Sequence, residues 1–195
     1  MKTAPSLEEL MEEGRHNVCQ PLERASTLPP GFYVSPEIFE REESVFRRNW
    51  VSVGHIGEIP HPGDRFRIDI AGEPLLIVRG KEGEVRALSA VCRHRWMLLD
   101  GAEGSGTISC PYHKWTYALD GSLMAAPLME QAADFDKADC ALPSFAVELW
   151  NGFIFVNLDG EAPPLAPQLA PLAEEFAPWK MDEMDVIGRI AFDQA

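Results

Sequence analysis

The chain has 195 residues, 46% of them hydrophobic and 25% charged, the balance of an ordinary soluble domain with appendages. Its net charge of -14 would repel nucleic acid and anionic membranes alike, so neither is expected as a partner. No run approaches the roughly 18 apolar residues of a membrane span, and Met1 to Ser6 lacks the apolar core of a secretory signal, which points to the cytoplasm.

The first predicted element is a short helix over about residues 7 to 13, because Ser6 and Glu9 have capping-box spacing. A stronger helix begins at Ser35, with Pro36 in its first turn and Ile38, Phe39, Val45 and Phe46 as an apolar stripe; it is expected to dock on the domain C-terminal to it. From Trp50 the texture changes to β-rich runs: Trp50 to Ile56, Arg65 to Ile70, Leu75 to Val78, Val85 to Leu88, Trp115 to Leu119, Phe145 to Trp150 and Phe153 to Leu158. Asp120-Gly121 and Asn151-Gly152 read as two-residue type I′ turns, since Asn and Gly tolerate the positive φ required. Closely spaced strands joined by hairpins predict a mainly β, antiparallel domain from about residue 48 to 160. Beyond Leu158 a Pro- and Ala-rich linker leads to a short helix near Leu169 to Phe176 and a strand from Met184 to Phe192.

Two short boxes carry the chemistry. Cys92-Arg93-His94 places a thiol and an imidazole two residues apart, able to project to one side of an extended loop, and Cys110-Pro111-Tyr112-His113 supplies a second such pair. Four donors of this kind suit a single zinc or a [2Fe-2S] cluster in which both Cys hold one iron and both His the other. Zinc fingers usually take two Cys from one knuckle and two His from a helix, whereas here each box contributes one of each, which favours the diiron cluster.

The boxes, with Lys114-Trp115-Thr116-Tyr117-Ala118-Leu119-Asp120-Gly121 after them, resemble the oxygenase component of Rieske non-haem iron oxygenases, the alpha subunits of aromatic ring-hydroxylating dioxygenases. Leu28-Pro29-Pro30-Gly31-Phe32-Tyr33, and Val53-Gly54-His55 through Pro62-Gly63-Asp64, extend the likeness to roughly residues 28 to 195. The resemblance implies an N-terminal helical arm over 1–47, an antiparallel Rieske [2Fe-2S] domain over 48–160, and over 161–195 a linker with the first elements of a truncated α+β catalytic domain. It implies Cys92, His94, Cys110 and His113 as cluster ligands, with Trp115 packed under their loop. It further implies a ferredoxin or flavin reductase as electron donor, a homotrimer, and a mononuclear Fe(II) that activates O2 in the missing catalytic domain. Family substrates include aromatic hydrocarbons and molecules that are demethylated or hydroxylated. The alternative is a stand-alone Rieske-type ferredoxin, a carrier that needs no second iron.

Replacing two thiolates by neutral imidazoles brings the oxidised cluster from a dianion to neutrality, which makes electron uptake easier than in a four-Cys cluster. Each His keeps a second ring nitrogen, so the potential is expected to fall as pH rises. Two positions depart from the family pattern: Trp96 and Lys114 stand where Gly is usual, which puts the loop shape in question but not the ligands. Lys114, Arg93 and Arg95 form a basic island, expected either to raise the potential or to meet an acidic surface on a neighbouring subunit. Cys19 and Cys140 read as free thiols, and His16, His55 and His61 as structural or surface residues. No Gly-rich loop has phosphate-binding spacing, so the chain itself is not expected to hold nicotinamide or flavin.

Overall fold

The computed structural model describes residues 5–100, 106–188 and 190. The chain divides into two compact units, one ending at Phe46 and the other beginning at Arg47. In the first, α1 (Leu7–Val18) is capped as its sequence dictates: Ser6 accepts from the Glu9 N–H, and the Glu9 carboxylate accepts from the Ser6 N–H at 2.7 Å. The helix extends beyond the predicted end, to Val18, and buries Leu10 and Gly14. The second helix, α2 (Pro36–Arg48), starts where Ser35 Oγ accepts the Ile38 N–H at 3.4 Å. Of its predicted apolar stripe Ile38 is buried, while Phe39, Val45 and Phe46 are exposed.

Among the described residues nine strands come after these two helices: β1 (Val51–His55), β2 (Arg65–Ile70), β3 (Glu73–Arg79), β4 (Val85–Ser89), β5 (Ile108–Ser109), β6 (Thr116–Tyr117), β7 (Leu123–Ala125), β8 (Ser144–Trp150) and β9 (Phe153–Asn157). Six of them form a sheet in the order β1-β9-β8-β4-β3-β2, and β5-β6-β7 form a smaller one; every pairing is antiparallel. The short β5 and β7 escape the sequence pattern because two or three residues are too few to display a period of two.

The sheet separates two hydrophobic clusters. Alternation along β3 sends Leu75 and Ile77 to one, with Val53, Ile59, Ile154 and Val156, and Leu76 and Val78 to the other, with Leu88, Cys92, Cys110, Trp115 and Tyr117. This burial of both faces is why β3 reads as an unbroken apolar run. The second cluster packs the small sheet and the two Cys boxes onto the large one. Removing the Leu76 side chain, fully buried in that cluster, is expected to cost about 3 kcal/mol, read as a lower midpoint in urea unfolding at unchanged slope.

The two turns resolve differently. Asn151 (φ 48) and Gly152 (φ 82) both take the left-handed conformation between paired Trp150 and Phe153, a type I′ hairpin as predicted. At Asp120-Gly121 only Gly121 does (φ 89): the Gly121 N–H donates to the Ala118 carbonyl and the Ala118 N–H to the Ser122 carbonyl, which makes a longer loop than the two-residue turn expected. Asp120 makes the difference, since its carboxylate accepts from the Ser122 N–H at 2.9 Å and from the Ser122 hydroxyl at 2.6 Å. These bonds hold its carboxyl below the ordinary range. Its contribution to stability is therefore complete above the usual carboxylate pKa and is lost as pH falls through the lowered value. Asp120→Ala should remove that part of the acid dependence and cost about 1 kcal/mol at neutral pH, measured by unfolding at about pH 7 and about pH 3.

After Leu158 the predicted single helix is broken into α3 (Leu165–Leu169), a 3-10 turn (Ala170–Leu172), α4 (Ala173–Phe176) and further 3-10 turns at Ala177–Trp179 and Met181–Glu183. Pro171 and Pro178 lack the N–H that a continuous helix would use. The predicted strand is absent from Met184 to Gly188 and at Ile190, which carry no regular structure; its other positions, 189, 191 and 192, lie outside the described residues. A strand needs a partner for its ladder, and among the described residues this segment has none.

Candidate metal centre

The two Cys boxes fold into the same turn twice. In the first, the Cys92 N–H donates to the Met97 carbonyl at 2.9 Å and the Trp96 N–H donates back to the Cys92 carbonyl at 3.0 Å. In the second, the Cys110 N–H donates to the Trp115 carbonyl at 2.8 Å and the Lys114 N–H to the Cys110 carbonyl at 3.1 Å. Each turn closes on a residue in the left-handed region, Trp96 at φ 52 and Lys114 at φ 61, the two positions where glycine would be unstrained. The glycine loop shape thus persists without glycine. Its cost is backbone strain of about 1 kcal/mol at each position. Trp96→Gly should accordingly raise stability by about 1 kcal/mol in thermal or urea unfolding.

The turns bring all four predicted residues together. Cys92 and Cys110 are buried in the hydrophobic cluster, at 0% and 2% exposure, close enough for a side-chain hydrogen bond. His94 and His113 lie nearer the surface, ring centroids 4.7 Å apart in an edge-to-face arrangement. The four therefore meet as a sulfur pair below and an imidazole pair above. A division into a sulfur pair and an imidazole pair suits a bridged iron pair, which takes two donors at each ion.

Polar accounting points the same way. His113 Nδ1 is buried with no hydrogen-bond partner among the described residues. An orphaned nitrogen of this kind costs about 1–3 kcal/mol unless something takes its lone pair, and a metal ion does so. Burial, with repulsion from His113 and Arg95, pushes the His94 pKa down and so favours the neutral imidazole that binds metal. Burial raises the Cys92 thiol, and the neighbouring Cys110 adds to the rise. A metal cation would neutralise these thiolates and offset the cost of burying them. These residues fit a [2Fe-2S] cluster.

Two further side chains complete the site. Trp115, 3% exposed, stacks on His94 with centroids 4.8 Å apart and planes within 7°, which holds that ring in place; the resemblance implied only that it packs under the loop. Tyr117, two residues on and in the same hydrophobic cluster, is fully buried; its hydroxyl accepts the Arg93 N–H at 3.0 Å and lies 3.2 Å from Cys92 Sγ. Because that oxygen already accepts, its own hydrogen is free for the sulfur. Burial and the Cys92 contact push the Tyr117 pKa well above the usual phenol value, so it stays a donor. Sequence reasoning passed over Tyr117. Its one local signal is the i, i+2 relation to Trp115.

The other histidines and cysteines lie apart from this centre. His55 is buried, its Nδ1 accepting the Gly57 N–H at 3.1 Å and its Nε2 lying 2.9 Å from the Met181 carbonyl oxygen. His16 and His61 are exposed, Cys19 is exposed, and Cys140 packs half-buried at the edge of the second cluster. Among the described residues no helix is long and apolar enough to cross a membrane.

Comparison with known proteins agrees with the geometry. The family model described as the Rieske [2Fe-2S] domain matches residues 49–146. The carnitine monooxygenase oxygenase subunit of Acinetobacter baumannii is 36% identical over 169 residues, 85% of this chain and 46% of that protein. Biphenyl 2,3-dioxygenase subunit alpha of Rhodococcus jostii is 37% identical over 147 residues, 73% of this chain and 32% of that one. The crystal structure of a quaternary ammonium Rieske monooxygenase with L-carnitine superposes with a TM-score of 0.73 at 34% identity, covering 79% of this chain and 45% of the other. The chain thus spans less than half the length of these relatives. Paired turns that gather two thiols under two imidazoles, and a family match laid across both turns, lead to one conclusion: the chain belongs to the Rieske [2Fe-2S] family and is homologous to the oxygenase alpha subunits of Rieske monooxygenases and dioxygenases.

Proposed function

We propose that this chain is the electron-accepting part of a Rieske oxygenase alpha subunit, with Cys92 and Cys110 holding the inner iron and His94 and His113 the outer one. The observation that carries the reading is the division of the four donors into a buried sulfur pair and a shallower imidazole pair, with His113 Nδ1 unpartnered among the described residues. When bound, a cluster with two neutral imidazoles takes up one electron at a higher potential than a four-Cys cluster. The chain's own residues prepare that step. Tyr117 directs a hydrogen bond at the Cys92 sulfur, Trp115 fixes the His94 ring, and the apolar second cluster keeps water from the sulfurs.

In this reading residues 48–160 are the cluster domain, 1–47 an arm before it, and 161–195 the approach to a catalytic domain that holds the mononuclear iron. A ferredoxin or flavin reductase supplies the electrons, and the working assembly is a homo-oligomer. Near-equal identity to a carnitine and to a biphenyl enzyme, 36% and 37%, suits a half that handles electrons and leaves substrate choice to the catalytic half. Anaerobic reconstitution tests the assignment. Two irons and two acid-labile sulfides per chain, with the visible absorption of a mixed His/Cys cluster, are expected; a colourless zinc protein overturns it.

A further inference from the structure

His55 ends β1 at a corner where three pieces of chain meet: the turn that runs on from it through Gly57, the tip of the β8–β9 hairpin, and the segment from Met181 to Val186. The approach is close. The Ile56 N–H donates to the Gly152 carbonyl at 2.9 Å. A methyl group on Gly152 would run into His55 Nε2 and Asp182 Cα, and one on Gly57 would stand 3.1 Å from His55 Nδ1 and 3.4 Å from the Met184 carbonyl oxygen. Glycine at both positions lets the three pieces close on the imidazole, which is 8% exposed and meets Phe153 edge to face with centroids 5.4 Å apart.

The bonds of this ring fix its tautomer. The Gly57 N–H donates to Nδ1 at 3.1 Å, so in the neutral ring the hydrogen sits on Nε2, 2.9 Å from the Met181 carbonyl oxygen. That carbonyl also accepts the Met184 N–H at 3.1 Å, which closes the 3-10 turn at Met181–Glu183. One side chain thus joins residues 126 positions apart, and its two ends act separately. Nδ1 shapes its own turn, while Nε2 holds a segment that no strand ladder holds among the described residues. Earlier parts of the same connector are tied by side chains as well: Trp50 Nε1 donates to the Pro163 carbonyl at 2.8 Å, and the Leu165 N–H donates to the Glu148 carboxylate at 3.1 Å. His55 continues that series to Met181.

We propose that His55 is a positioning residue, a two-ended latch that holds the chain at Met181 to the corner formed by β1 and the β8–β9 hairpin and so fixes the point from which the connector leaves the cluster domain. The proposal rests on the reading above that residues 161–195 approach a catalytic domain. Domains joined by a connector move against one another unless contacts restrain them. The latch supplies such a restraint through one fully paired imidazole rather than through a broad apolar interface. A purely apolar side chain of similar size would fill the corner and leave the Gly57 N–H without its acceptor, so packing alone does not account for histidine here.

The test divides the imidazole between two amides. Asparagine places an acceptor oxygen near the position of Nδ1, and glutamine places a donor NH2 near that of Nε2. Hydrogen exchange read by mass spectrometry on the anaerobically reconstituted chain follows both ends, through the Gly57 amide in a peptide over 55–59 and the Glu183 and Met184 amides in a peptide over 181–186. In His55→Asn the peptide over 181–186 should exchange about tenfold faster than in the wild type, while the peptide over 55–59 keeps its protection. In His55→Gln the pattern should reverse. Visible absorption and midpoint potential should match the wild type in both variants. Wild-type exchange over 181–186 in His55→Asn overturns the latch. So does an equal loss at both ends in the two variants, which would make His55 a packing residue alone. A colourless wild type overturns the cluster reading, and the exchange comparison still decides the latch by itself.

Discussion

Cys92→Ala, Cys110→Ala, His94→Ala and His113→Ala, each reconstituted anaerobically with iron and sulfide, should lose the visible absorption and the reduced-state paramagnetic signal of the wild type. The reason is one of charge as well as valence. In the apolar cluster around Cys92 and Cys110 a thiolate is unfavourable until an iron neutralises it, and burial raises the Cys92 pKa accordingly. Removal of one donor leaves an iron short of a ligand and its neighbour's charge uncompensated. A finer test separates the pairs. His113→Cys adds a thiolate to the outer position, so it should keep a coloured cluster whose potential is lower by on the order of 100 mV, toward the four-Cys range. Visible absorption unchanged in any of the four Ala variants would remove that residue from the ligand set.

Tyr117→Phe should lower the midpoint potential by on the order of 40 mV, the equivalent of about 1 kcal/mol for one electron. The hydroxyl accepts the Arg93 N–H and so turns its hydrogen toward Cys92 Sγ, 3.2 Å away. Such a bond favours the reduced state, in which the cluster carries one more negative charge and the sulfur is the stronger acceptor. Phenylalanine keeps the ring that fills the core, so cavity formation does not confuse the result. The Arg93 N–H loses its acceptor as well, which should cost about 1–2 kcal/mol in urea unfolding. Potentiometric titration of the two proteins decides the matter; equal potentials would mean that the Tyr117 hydroxyl serves the Arg93 backbone alone.

The long strands were legible because their evidence is local. Alternation over β2, the apolar run of β3 and the Asn151-Gly152 turn each arise from neighbours in the chain. The ligand pairs were legible from their spacing, but as extended loops; the turns that Cys92 closes with Met97 and Cys110 with Trp115 came only with the structure. Where reading fell short, either the element was too small to show a period, as with β5 and β7, or a competing side-chain bond intervened, as with Asp120 and Ser122. The helix predicted over Leu169 to Phe176 failed because Pro171 within it cannot donate its N–H.

Residue type and spacing determined the four candidate donors and the antiparallel β character, while Trp96 and Lys114 stood out only as departures from the pattern of the resembled family. Tertiary structure decided the pairing of β1 with β9 from opposite ends of the domain, and the stacking of Trp115 on His94. It also brought Tyr117 to Cys92 and divided the donors into a buried sulfur pair and a shallower imidazole pair. The physical reason is range. Turn geometry and strand periodicity are set by bonds between near neighbours, whereas the burial of a sulfur and the direction of a phenol hydrogen depend on surfaces that meet only once the sheet has closed.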